Sequence, residues 1–113
     1  MSSVLVAAGL VAGGLVGASA AQAAPSDCET GNFCLWPEFN HRGTPKPYSY
    51  HAKDLGSFKN RDRSSYNRMS QAGMELYSQI NHVGYIACSR PGSIWTHHSP
   101  ALDTESLYKV SSC

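Results

Sequence analysis

A nine-residue segment, Leu35-Trp36-Pro37-Glu38-Phe39-Asn40-His41-Arg42-Gly43, returns as Leu76-Tyr77-Ser78-Gln79-Ile80-Asn81-His82-Val83-Gly84, a shift of 41 residues. Leu, Asn, His and Gly match outright, while Trp36/Tyr77 and Phe39/Ile80 exchange one bulky apolar side chain for another. The same shift pairs Asp62 with Asp103, Ser65 with Ser106, Arg68 with Lys109, Met69 with Val110 and Ser70 with Ser111. Two separated blocks that share one spacing imply duplication. The fold is therefore expected to be assembled from two copies of one unit, over residues 28–72 and 73–113.

Each copy reads as strands. Phe33-Cys34-Leu35-Trp36 and Met74-Glu75-Leu76-Tyr77 are short, apolar and aromatic, and each leads into a polar stretch that ends in Gly. Pro37, Pro45, Pro47, Pro91 and Pro100, with ten glycines, interrupt the chain too often for long helices. Ser64 to Ser70 has room for one helical turn, but no stretch beyond residue 24 sustains a 3.6-residue period. Short strands at this spacing predict an all-β sandwich. Gly43 and Gly84 are expected at positive φ or at close backbone approaches. Ser65 and Ser106 are expected to hydrogen-bond the folded-over hairpin. Trp36, Phe39, Tyr77 and Ile80 are expected in the core, at about 1.5–3 kcal/mol for each large buried side chain.

No charged side chain occurs before Asp27, and Val4 to Val16 form an apolar run followed by Ala21-Gln22-Ala23. The run is too short to span a bilayer, and A-x-A suits a signal peptidase, so residues 1–23 read as a signal peptide and 24–113 as one mature domain. The missing Lys or Arg at the start leaves open a start upstream. All four cysteines, Cys28, Cys34, Cys88 and Cys113, fall beyond the cleavage point, as in an exported protein entering an oxidising compartment. Three pairings exist for four cysteines. Cys28–Cys34 with Cys88–Cys113 is favoured, because the first pair is local and the second pins the carboxyl terminus. Chain entropy assigns about 2.4 and 3.5 kcal/mol to loops of these lengths. A chain this small buries only about 60–65% of its unfolded surface, so such staples matter. No C-x₂-C pair is present to grip zinc.

Nine Lys and Arg against eight Asp and Glu give a net charge of +1, which supplies no steering toward nucleic acid. The basic stretch Lys53 to Arg68 is interleaved with Asp54 and Asp62 and reads as solvated surface. Among five histidines, His41, His51, His82, His97 and His98, none sits in H-E-x-x-H. His41 and His82 occupy equivalent repeat positions, which a shared structural role explains. No G-x-S-x-G, phosphate-cradling or reactive-Cys motif appears, so an enzyme is not expected.

The aromatic strand, Gly turn and Ser-containing loop of each copy resemble the βγ-crystallin Greek key, of which two units make one domain. A chain opening with "CETGNFCLW" and continuing with "RDRSSYNR" further resembles the actinobacterial peptidase inhibitor family I36, related to a Streptomyces metalloproteinase inhibitor. The resemblance covers Cys28 to Cys113. It implies a disulfide-stapled sandwich of two Greek-key units, secreted and monomeric, whose partner is an extracellular protease of the metallo or serine type. Many βγ-crystallins bind calcium through [N/D]-[N/D]-x-x-[S/T]-S, where oxygen ligands surround a hard cation. Here the first copy reads Asn60-Arg61-Asp62-Arg63-Ser64-Ser65 and the second Ala101-Leu102-Asp103-Thr104-Glu105-Ser106. Arg61 is repulsive to a divalent ion, and Ala101 and Leu102 lend no side-chain oxygen. Any calcium ligands left are Asn60, Ser64, Asp103 and Glu105, and no other cofactor is expected.

An inhibitor presents a rigid exposed loop that loses little entropy on binding. Segments that do not repeat are the place to look. The first candidate runs from Cys88 through Ser89, Arg90, Pro91, Gly92, Ser93, Ile94 and Trp95, anchored by a disulfide and stiffened by Pro91, with Ile94 and Trp95 as apolar anchors. The second is Thr44-Pro45-Lys46-Pro47-Tyr48. Two other readings accompany the inhibitor: an extracellular calcium-binding or structural module, and a killer-toxin-like antimicrobial protein.

Overall fold

In a computed structural model, which describes residues 24–98 and 103–113, seven strands form two antiparallel sheets. The expected leader, residues 1–23, lies outside the described residues. The strands are β1 (Phe33–Trp36), β2 (Lys46–Tyr48), β3 (Ser64–Asn67), β4 (Gly73–Gln79), β5 (Val83–Ser89), β6 (Ile94–Trp95) and β7 (Ser106–Val110). One sheet has the order β2-β1-β3-β6 and the other β5-β4-β7. The all-β reading holds, and the turn-rich segments contribute only three-residue 3₁₀ turns.

Side-chain alternation explains both layers. On β1, Phe33 and Leu35 point between the sheets, where they meet Met74 and Leu76 of β4, Leu107 of β7, and Leu55 and Met69. Cys34 and Trp36 point the other way and form a second cluster with Cys28 and Tyr66, capped by the Cys28–Cys34 disulfide. Every side chain of β1 is buried, so a continuous apolar run fits a strand covered on both faces. The cysteines pair as favoured, Cys28–Cys34 and Cys88–Cys113, with Cα separations of 5.8 and 5.9 Å. Gly73 makes room for the second bridge: a Cβ there would lie 2.5 Å from the Cys113 Sγ and 3.2 Å from the Cys88 Sγ.

The two copies exchange their third segments. β6, from the second copy, pairs with β3 of the first through Ser65↔Trp95 and Tyr66↔Ile94. Ala52, from the first copy, bridges Leu107 of the second. Each sheet therefore contains a piece of the other copy.

The register corrects the constant shift. Phe33 faces Tyr48 and Met74 faces Ser89, a shift of 41, but Trp36 faces Ser64 while Tyr77 faces Ser106, a shift of 42. At the exchanged segments, the Asn40 N–H donates to the Thr96 carbonyl and the Asn81 N–H to that of Lys53, a shift of 43. Ser106 is thus the counterpart of Ser64, not of Ser65, and Thr104, not Asp103, is that of Asp62. The last strand of each copy, β3 or β7, is short and starts on a serine, so a one-residue slip leaves the letters almost as well matched and only pairing reveals it.

Gly43 and Gly84 adopt φ of +85° and +78°. Asn40, His41, Asn81 and His82 are also left-handed, with φ between 58° and 61°. This pair folds the hairpin back, so that the His41 ring turns inward against Trp36, with centroids 4.7 Å apart. Phe39 and Ile80, expected in the core, are instead 42% and 38% exposed, because the reversal that directs the histidine inward directs them outward. Trp36 is buried and Tyr77 is half-buried.

The fold is locked by one arrangement used twice. The Ser64 hydroxyl donates to the Glu38 carbonyl at 2.7 Å and accepts from the His41 N–H at 3.0 Å. The Ser106 hydroxyl does the same with Gln79 and His82, at 2.6 and 3.0 Å. Each histidine Nε2–H then donates to a carbonyl beyond its serine, Ser65 for His41 and Leu107 for His82, both at 2.9 Å. The shared structural role of these histidines is this clasp.

Candidate functional site

The segment after β5 is where the copies differ most. Three residues, Ser49 to His51, separate Tyr48 from Ala52, whereas five, Arg90 to Ile94, separate the equivalent Ser89 and Trp95. The longer connection closes as a tight turn. The Ser93 N–H donates to the Arg90 carbonyl at 3.0 Å, with Pro91 and Gly92 at the corners and Gly92 at φ +83°. Pro presets φ at the first corner and Gly accepts the positive φ of the second, so the turn is organised before any partner arrives.

Asn67, which the sequence reading passed over, holds this turn from beneath. Its side chain is fully buried on β3, and its Nδ2 donates to the Ser89 carbonyl at 2.9 Å and the Ala72 carbonyl at 3.0 Å. Its Oδ1 accepts from the Met69 N–H at 2.9 Å. Its backbone gives an N–H to the Ser93 carbonyl and a carbonyl to the Gly92 N–H, at 2.9 and 2.8 Å. Asn67 stands where the second copy has Lys109, so a mismatch at the corrected shift of 42 is the signal that marks it.

The predicted residues divide into roles. Ser89 is buried and belongs to β5, Arg90, Pro91 and Gly92 are exposed, and Ser93 is half-buried. Ile94 is 48% exposed on β6, an edge strand of its sheet. Trp95 is half-buried and packs edge-on against His98, with ring centroids 5.6 Å apart. The second candidate, Thr44 to Tyr48, is no free loop: Lys46–Tyr48 is edge strand β2, paired with β1.

Of the calcium candidates, Asn60 and Glu105 meet each other and Ser64 is engaged elsewhere. The Ser64 hydroxyl is committed to the hairpin clasp, and Asn60 Nδ2 donates to Glu105 Oε2 at 2.9 Å. Asp103 is exposed, and Ala101 and Leu102 lie outside the described residues. Once Ser64 and Ser106 end the motif, its fifth positions are Arg63 and Glu105. Among the described residues, no three His, Cys, Asp or Glu side chains converge on a metal position.

Ser65, His98 and Asp62 form a line with catalytic-triad spacing: Ser65 Oγ is 2.9 Å from His98 Nε2, and His98 Nδ1–H donates to Asp62 Oδ2 at 2.8 Å. All three are buried, at 2% exposure or less, so no acyl group reaches the hydroxyl. The Thr104 N–H and hydroxyl also donate to Asp62, at 3.1 and 2.8 Å. Asp62 and Thr104 are repeat counterparts, so the network sits where the two copies face each other. Next to it, burial pushes the Tyr48 hydroxyl up to about 12, and the Asp62 carboxylate adds to the rise.

Residues 21–89 match the profile of peptidase inhibitor family I36, more than half of the chain. The match ends at Ser89, where the longer connection begins. The comparison with curated proteins gave no match. Among solved structures, one described as "Evolution of the eye lens beta-gamma-crystallin domain fold" superimposes with a TM-score of 0.65 at 12% identity, covering 73% of this chain and 87% of that one. A βγ-crystallin domain from Clostridium beijerinckii gives 0.59 at 13% identity, covering 72% and 99%. A double mutant of that domain gives 0.60 at 13% identity, covering 74% and 100%. At such identities the likeness speaks for the fold alone.

Proposed function

The chain belongs to peptidase inhibitor family I36, and from that premise we propose that it is exported and blocks an extracellular proteinase with the segment Cys88 to Trp95. Members of a peptidase inhibitor family bind rather than turn over, and the chain is not an enzyme. The observation that carries the loop assignment is the Asn67 clamp under a turn two residues longer than its repeat counterpart. A loop ordered in advance loses little entropy in a cleft, and that difference separates an inhibitor from a substrate.

Ile94 supplies the specificity. It is apolar, exposed, extended and at a sheet edge, the form in which a proteinase cleft takes a peptide. A metalloproteinase with an apolar pocket fits this side chain better than a trypsin-like enzyme fits Arg90, since Pro91 follows Arg90 directly. The test is a panel of thermolysin-like, subtilisin-like and trypsin-like enzymes titrated with residues 24–113. Inhibition of the first class at micromolar concentration or below, weakened at least tenfold by Ile94→Ala at an unchanged melting temperature, is the expected result. No inhibition of any class would overturn the proposal.

A further inference from the structure

Beside the turn Arg90–Ser93 runs an open groove of about 330 Å³, lined by Thr30, Tyr66, Arg68, Met69, Pro91 and Gly92 among others. Its walls come from three segments that are remote in sequence: the Cys28–Cys34 loop, the end of β3 and the candidate inhibitory turn. They share one end of the sheet because Phe33 faces Asn67 across β1 and β3, and Asn67 pairs onward with Ser93.

Arg68 is the charged group of the groove, and it is held in place. Its Nη1 donates to the Cys28 carbonyl at 2.8 Å, and its guanidinium lies over the Tyr66 ring, 5.6 Å from the centroid. Its backbone is fixed on both sides, with the Gly31 N–H donating to the Arg68 carbonyl and the Arg68 N–H to the Asn32 carbonyl. Among the described residues the ion pairs are Lys59–Asp54 and His98–Asp62, so neither Arg68 nor exposed Arg90 is neutralised by a carboxylate. A planar cation held by one neutral hydrogen bond and one ring keeps further N–H donors for a carboxylate, and loses little freedom on meeting one. Asp27 and Glu29 line a separate pocket with Pro45 and Pro47, also bordered by the Cys28–Cys34 loop. The Cys28–Cys34 loop therefore borders a groove holding Arg68 next to the turn and a separate pocket holding Asp27 and Glu29.

The geometry points to a second contact in the inhibitory complex: the groove centred on Arg68 receives a carboxylate-bearing segment of the target proteinase beside its cleft. This inference rests on the inhibitory reading and sharpens it, since it selects proteinases whose cleft rim is acidic on one side. Charges at the edge of an interface act on the encounter more than on the lifetime of the complex. Association is therefore expected to be fast at low salt and to slow as salt rises, because exposed charges are screened over about 10 Å at 0.1 M.

The test measures association and dissociation rates with a proteinase that the wild-type chain inhibits, from low to high salt. Arg68→Gln is expected to slow association about tenfold at low salt, flatten the salt dependence and leave dissociation within about twofold, whereas Arg68→Lys keeps most of the rate. Arg68 also steadies the disulfide loop, so Thr30→Glu serves as an independent variant that adds a negative charge at the rim and leaves the Arg68 contacts alone. It is expected to slow association in the same way. Unchanged association rates and salt slopes in both Arg68→Gln and Thr30→Glu, with wild-type inhibition intact, would overturn the inference and leave the inhibitory reading standing. Absence of wild-type inhibition across the panel would sink both together.

Discussion

Ser64 and Ser106 show how much one hydroxyl decides in this molecule. Each satisfies a hairpin carbonyl and a histidine N–H whose backbone is left-handed, so Ala at either site leaves two polar groups unpaired beneath the folded hairpin. Ser64→Ala or Ser106→Ala is expected to cost about 1–3 kcal/mol, read as a lowered urea midpoint with an unchanged slope. Tyr48 carries a pH signature. Its folded-state value near 12 lies above the ordinary 10, so the folded chain holds this proton more tightly than the unfolded chain does. The contribution is complete below pH 10 and lost as pH rises through about 12. Melting temperature is expected to fall across that window, and Tyr48→Phe to flatten the fall. The Tyr48 hydroxyl has no partner among the described residues, so the Phe variant is expected to match the wild type near pH 7.

The turn between β5 and β6 owes its shape to a residue outside it. Asn67→Ala removes the donor to the Ser89 and Ala72 carbonyls and the acceptor for the Met69 N–H, leaving β3 in place but the turn unsupported. The expected outcome is conversion from inhibitor toward substrate: a proteinase that the wild type blocks cuts the variant between Cys88 and Thr96, detected by mass spectrometry within one assay period. Pro91 and Gly92 were legible beforehand, because a Pro-Gly pair announces its turn locally. Asn67 was not, because its bonds to Ser89, Gly92 and Ser93 span 22 to 26 residues, and the letters near it in the chain do not announce them.

Across the whole molecule, the exchanged segments make the two copies interdependent. The sheet containing β1 needs β6, and Leu107 in the other needs Ala52. Asp62, His98 and Thr104 join the copies through buried hydrogen bonds, so Asp62→Ala removes the carboxylate that accepts from the His98 imidazole N–H and from Thr104 in the interior. A loss of at least about 3 kcal/mol is expected, measured by chemical denaturation. Residues 24–72 made alone are expected to show no cooperative thermal transition by circular dichroism.

Local chemistry settled what the sequence could settle alone: strands rather than helices, two copies of one unit and the left-handed glycines, while among three possible cysteine pairings it only favoured the one the structure holds. Each of these follows from neighbouring residues or from a pattern that survives a one-residue slip. The sliding shift from 41 to 43, the outward Phe39 and Ile80, the commitment of Ser64 to the hairpin, and the gathering of Asn67 and Arg68 beneath one turn were decided by tertiary structure. Register and burial are set by the partner strand across a sheet, and the letters of a single strand do not contain its partner.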